Sequence, residues 1–166
     1  MTIDLGTRIT RTIRQDVTSS AGYAIQPSAG MVKLDAMENP FGLPVTLRRA
    51  LGERLADVAI NRYPVNKGEV AAALAQHFEV PSACKLIVGN GSDELIDLLS
   101  VACDVPGATV LAPLPGFVMY EMSAKLQGLK FIGVPLTTGF ELDEVAMLSA
   151  IEQHRPSLTY IAYPNN

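Results

Sequence analysis

The sequence predicts an α/β fold: a three-layer sandwich with a largely parallel sheet, preceded by an N-terminal arm. Three observations carry this expectation. From residue 85 onward, short apolar runs alternate with longer segments of helical period. One junction in that alternation, Gly89-Asn90-Gly91-Ser92, is a glycine turn that closes a strand and opens a helix. Finally, 48% of the 166 residues are apolar and 18% are charged, which is enough for a buried core in a chain of this length.

Taken in order, residues 1 to 30 show weak periodicity and several Ser, Thr, Gly and Pro, so they read as an arm with a helical turn near residues 9–15. Residues 32–35 are a short strand candidate, followed by the turn-rich stretch 39–44. From 46 to 58, Leu47, Ala50, Leu51, Leu55 and Val58 recur at helical spacing, with Thr46 as the expected N-cap. Asn61-Arg62-Tyr63-Pro64 breaks the pattern, and an alanine-rich helix is expected over 68–78. The alternation then places strands at 85–88, 109–112, 130–134 and 158–162. Helices are expected at 93–103, opened by Ser92, and at 117–126 and 142–154. Strands with apolar character on both faces and helices between them are the mark of a parallel sheet covered on both sides.

Composition also excludes function classes. A net charge of −4 leaves no electrostatic footprint for nucleic acid, and the densest basic group, Arg48, Arg49 and Arg54, fits the solvated face of one helix. No segment reaches the roughly 18 apolar residues needed to cross a bilayer, and the first twenty residues lack a signal-peptide core. Cys84 and Cys103 lack metal-site spacing and are expected to be buried reduced thiols, with the cytoplasm as compartment. His77 and His154 each end a predicted helix, where a cationic or capping role suits them, and neither has triad spacing to a nucleophile.

The best local chemical signal is the strand-turn-helix from Leu86 to Leu95. Its glycines allow a sharp turn and close backbone approach to a ligand. The free N–H groups and positive dipole end of the helix that follows favour an anion such as phosphate. A dinucleotide fingerprint would need glycine at Glu94, and a P-loop would need a Gly-Lys-Ser/Thr run that is absent. The bland alternative, a glycine turn with a serine cap and two acids at the helix start, stays open on these residues alone.

Several segments together resemble one family. Leu34-Asp35-Ala36-Met37-Glu38-Asn39-Pro40, Asn61-Arg62-Tyr63-Pro64, Gly89-Asn90-Gly91-Ser92-Asp93-Glu94, Pro115-Gly116-Phe117-Val118-Met119-Tyr120 and Tyr163-Pro164-Asn165-Asn166 occur in the order found in histidinol-phosphate aminotransferases. These are fold-type I enzymes that use pyridoxal 5′-phosphate. The resemblance covers roughly residues 20 to 166. It implies that Gly91, Ser92 and Asp93 hold the cofactor phosphate, that Phe117 lies against the pyridine ring, and that Asn166 hydrogen-bonds its phenolic oxygen. It implies further that Tyr63 reaches the phosphate in the partner subunit of a homodimer, and that Tyr23, Glu38 and Asn39 lie near the substrate. Met37 stands where many relatives carry Asn.

On the same resemblance, residues 1–45 form the arm and the start of a small domain, and 46–166 the first part of the cofactor-binding large domain. The implied reaction transfers an amino group between glutamate and the histidinol phosphate skeleton, in histidine biosynthesis. None of the five lysines, Lys33, Lys67, Lys85, Lys125 and Lys130, stands in a Ser-Lys setting like the family's Schiff-base site. No catalytic residue is therefore assigned within these residues. The lysine is expected downstream of Asn166, and this segment alone is expected to be inactive. Competing expectations are another fold-type I aminotransferase or decarboxylase, and a non-catalytic phosphate-binding module.

Overall fold

A computed structural model of the chain describes residues 4–20, 27–34, 37–63 and 67–165. It divides into two compact units, one formed by Met1–Ala36 with Ser100–Asn166, the other by Met37–Leu99.

The first unit contains the sheet. β1 (Thr109–Leu114) is its middle strand, flanked by β2 (Lys130–Pro135) and β3 (Leu158–Thr159), all parallel. In register, Val110 faces Phe131 on one side and Leu158 on the other, while Leu111 faces Ile132 and Thr159. The ladder to β3 continues past its two residues, because Tyr160 donates its backbone N–H to Leu111 O at 2.9 Å. The expected strand over 158–162 is therefore present in shortened form.

Parallel neighbours need crossovers. α6 (Val118–Gln127) joins β1 to β2, and α7 (Glu144–His154) joins β2 to β3. Each has a clear stop or start. α6 ends at Gly128, whose φ of +81° is the left-handed conformation glycine adopts without penalty, and Leu129 N–H returns to Ala124 O at 2.9 Å. α7 opens on Asp143, whose carboxylate accepts from Ala146 N–H at 2.9 Å.

Successive strand residues point to opposite faces, and β1 uses both. Val110 packs with Ala124 of α6 and with Leu129, while Leu111 packs with Val134 and with Met147 of α7. The two helices thus cover opposite faces of the sheet, and the three layers expected from the sequence are those observed. Burying both faces explains why β1 reads as a continuous apolar run. At the end of the strand, the Leu114 side chain lies over Gly133: a Cβ there would come within 2.1 Å of Leu114 Cδ1.

The arm belongs to the same unit and forms two short helices, α1 (Leu5–Thr12) and α2 (Gln15–Ser19), where a single turn was expected. Arg14, between them, ties it down. Its guanidinium donates to Leu126 O at 2.6 Å and Lys125 O at 3.2 Å, carbonyls of the last turn of α6, where a cation is favoured. Asp16 holds the same guanidinium through two contacts, at 3.1 and 2.5 Å. The hydrogen bond from Arg14 keeps the Asp16 carboxyl below its ordinary value and raises Arg14 in return. Because the folded value of Asp16 is depressed, its contribution is present above the ordinary carboxylate range and fades as the pH falls below it. Arg14→Ala should therefore speed amide hydrogen exchange across residues 5–19 several-fold. Asp16→Asn should do so less, and high salt should reproduce part of the effect. Unchanged exchange in Arg14→Ala would show that the arm is held elsewhere.

The second unit holds α3 (Val45–Ala56), α4 (Lys67–His77) and the start of α5 (Ser92–Ala102). α3 begins before Thr46, because Pro44 occupies the cap and its carbonyl accepts from Arg48 N–H at 2.9 Å. The apolar residues that recur along it are exposed, with Leu47, Leu51 and Leu55 all about half accessible. α4 ends as expected at His77, followed by Glu79 in the left-handed region (φ +51°) and a Val80 N–H to Ala75 O bond of 2.9 Å.

Two expected strands are not formed. Residues 85–88 of this unit form none, and neither do 32–34 of the first unit, Asp35 lying outside the described residues. A strand exists through a neighbour that takes its N–H and C=O groups, and the described residues supply none to 85–88. For the same reason Cys84 is exposed rather than buried: the apolar residues after it, such as Ile87, are themselves exposed. Cys103 is half-buried, and both thiols are free. Among the described residues, no helix is long and apolar enough to cross a membrane, and no cluster of His, Cys, Asp or Glu could hold a metal ion.

Candidate functional site

The glycine turn behaves as its composition suggests. Gly91 has φ +91°, a left-handed conformation that costs an L side chain strain, and the space around it is open. Ser92 is the first residue of α5, so the amides at this start have no acceptor within the helix. Gly91 and Ser92 are exposed and Asp93 is half-buried, while Ile96, one turn on, is buried.

Two acids stand at this positive end, and one has a structural task. Glu94 folds back so that its Oε2 accepts from Asn90 N–H at 2.5 Å. A Cβ on Gly89 would lie 2.8 Å from that oxygen and 3.1 Å from Leu95, so glycine is what lets the chain pass under the carboxylate. Ser92 Oγ lies 3.4 Å from Asp93 Oδ1, too long to hold the hydroxyl firmly. The turn thus combines an open glycine, amides at a helix start and a lightly held hydroxyl, and engages Glu94 on its own backbone. That chemistry fits a phosphate group.

Phe117 belongs to the other unit. It is the N-cap of α6, with φ −66° and ψ 119°, so its backbone is extended and its half-buried ring stands at the C-terminal end of β1. Open α/β sheets bind ligands at that end of their strands. The ring meets Tyr120 edge to face, with centroids 5.5 Å apart, and Tyr120 stacks on Tyr160 at 4.4 Å with planes 2° apart. Beneath Phe117 the backbone is tightly folded: a Cβ on Gly116 would lie 2.7 Å from Pro113 O. Asn165 secures the same turn, its amide donating to Pro115 O at 3.0 Å.

Tyr63 is 96% exposed. Glu38 is exposed, and Asn39, also exposed, uses its side-chain oxygen to accept from Phe41 N–H at 3.0 Å, closing a local Asx turn. Tyr23 and Asn166 lie outside the described residues. Gly91, Ser92 and Asp93 are together at one helix start, and Phe117 is at another. Sequence reasoning quoted Gly89, Gly116, Asn165 and Glu94 within its motifs but did not find their particular contacts. The capping-box pattern does not flag Glu94, because it asks for a hydroxyl three residues earlier, where Gly91 stands.

The chain is 66% identical to the histidinol-phosphate aminotransferase of Methylibium petroleiphilum over 163 residues, covering 98% of this chain and 44% of that protein. It is 61% identical to the enzyme of the same name from Polaromonas naphthalenivorans, covering 98% and 45%. It therefore spans under half the length of these relatives. Among solved structures it is similar to the histidinol-phosphate aminotransferase of Sinorhizobium meliloti in complex with pyridoxal-5′-phosphate. That match has a TM-score of 0.68 and 25% identity, over 79% of this chain and 35% of that one. The enzyme from Clostridium acetobutylicum shares the fold, with a TM-score of 0.62 at 22% identity over 77% of this chain and 36% of that one. The family model for aminotransferase class I and II matches residues 29–166. The chain belongs to the class I and II aminotransferases.

Proposed function

We propose that the full-length protein is a pyridoxal-phosphate-dependent aminotransferase acting on histidinol phosphate with 2-oxoglutarate and glutamate, in histidine biosynthesis. The observation that carries this reading is the 66% identity, over 98% of the chain, to a relative named for that reaction. The open turn at Gly91 supports it.

When bound, pyridoxal phosphate supplies an electron sink that lets an amino group move between carbon skeletons. The residues of this chain bind and orient. The Ser92 and Asp93 amides and the Ser92 hydroxyl receive the phosphate, with Gly91 leaving room for it. Phe117 covers one face of the ring; stacking needs an aromatic face only, so phenylalanine suffices. Asn166 donates its amide to the phenolic oxygen. Tyr63 reaches the phosphate in the partner subunit of a homodimer, and its near-complete exposure leaves it available to do so. Tyr23, Glu38 and Asn39 lie near the substrate, Asn39 with its oxygen already engaged. No lysine here is assigned to anchor the cofactor; this reading places that lysine beyond Asn166. It also places the protein in the cytoplasm and keeps the division into an arm with the start of a small domain (1–45) and the first part of a large domain (46–166).

The test is turnover by the purified full-length protein. Histidinol phosphate should exceed phenylalanine and tyrosine in kcat/KM by about 100-fold or more, since a site built for a phosphate leaves its polar groups unpaired when the substrate lacks one. Equal or better turnover of an aromatic amino acid would move the assignment to another aminotransferase.

A further inference from the structure

Phe117 faces a mechanical problem. It stands outside the helix it caps, on the short connection between β1 and α6, and its ring is only half-buried. A phenyl ring in such a place turns easily about its last torsion. A ring that is to lie flat on a cofactor must keep one plane.

The structure supplies a brace. We propose that Tyr120, backed by Tyr160, is a positioning residue that fixes the ring plane of Phe117; this rests on the cofactor reading above. Tyr120 meets Phe117 with planes at 88°, the edge-to-face arrangement in which turning the phenyl ring breaks the contact. Tyr120 is itself held, since its ring lies parallel to that of Tyr160 at 4.4 Å. Tyr160 is fastened to the central strand through its N–H bond to Leu111 O. The three rings thus form a ladder from the middle of the sheet to the residue assigned to the cofactor face. The backbone beneath Phe117 is set independently, by Asn165 on Pro115 O and by the close approach of Gly116 to Pro113 O. Backbone and ring plane are therefore constrained by separate contacts.

If these rings were only packing, removing one would lower stability and leave the bound cofactor's surroundings unchanged. The experiment compares full-length wild type, Tyr120→Phe, Tyr120→Leu and Tyr160→Leu. Each is titrated with pyridoxal phosphate, read by visible absorbance and by the circular dichroism induced in the cofactor band, and apo melting temperatures are recorded alongside. Tyr120→Leu should bind roughly tenfold more weakly and show a smaller induced dichroism per bound cofactor. Tyr120→Phe, which keeps the ring, should restore both. Tyr160→Leu should shift both in the same direction by less, and it carries the test if Tyr120→Leu does not fold. Unchanged affinity and dichroism in the leucine variants, with or without a lower melting temperature, would overturn the ladder while leaving the proposed function intact. So would a Tyr120→Phe variant as defective as Tyr120→Leu. A wild-type protein that takes up no pyridoxal phosphate would overturn the function and the ladder with it.

Discussion

With Ser92 replaced by aspartate, the full-length protein should hold pyridoxal phosphate about 100-fold less tightly, or worse. The substitution puts a carboxylate at the first position of α5, where the proposed ligand carries close to two negative charges. Charge-assisted hydrogen bonds contribute on the order of 1.5–3 kcal/mol, and here an attractive contact is lost and a repulsive one gained. The fold should not suffer, because an acid in the first turn suits the helix dipole. Ser92→Ala separates the two effects: it removes the hydroxyl and keeps the amides, so about a tenfold loss is expected, within the same range for one charged hydrogen bond. Titration of the cofactor absorbance decides both. Equal affinity in Ser92→Asp and wild type would place the phosphate somewhere other than the start of α5.

The largest stability effect is expected in the sheet. Leu111 is fully buried in the middle strand, packed against Val134 and Met147. Truncation to alanine should cost about 2–5 kcal/mol, combining the lost transfer energy with a cavity that the neighbours fill only in part. Against a typical stability of about 5–15 kcal/mol this is a large fraction, and chemical denaturation of the full-length protein would show it as a lower midpoint. Leu148, on α7 but 66% exposed, is the control; its alanine variant should stay within about 0.5 kcal/mol of wild type. Similar losses at the two positions would mean that the faces of α7 have been assigned wrongly.

These contrasts show where sequence reasoning succeeds. The helices α4, α5, α6 and α7 lie within two residues of their expected bounds, because each is announced by local chemistry such as Gly128 after α6 or Asp143 before α7. β1 and β2 were recognisable as apolar runs between those signals. Residues 85–88 are also an apolar run and form no strand, because pairing is decided by a neighbour and not by the segment itself. The site divides in the same way. Gly91 and Ser92 were found because glycine and a helix start are local facts, and Phe117 because a motif resemblance marked it. Asn165 on Pro115 joins residues fifty positions apart, and nothing local to either announces the other. The stack of Tyr120 on Tyr160 is of the same kind. Arg14 looks from its sequence like one more surface cation, and only the fold brings it to the end of α6.

The Leu114 side chain over Gly133 bears on how the sheet finds its alignment. In a strand with one wet face, a slip of one residue is punished at once, because polar groups would enter the core. β1 has no such safeguard: Val110, Leu111 and Ala112 are all buried, and either face would accept the others. Shape takes over where polarity is silent. Gly133 is a notch and Leu114 the tooth that sits in it. Sliding β2 by one residue in either direction would bring Ile132 or Val134 under the tooth, each with a branched Cβ that would have to push the Leu114 side chain aside. A single missing side chain thus favours one alignment of the two strands.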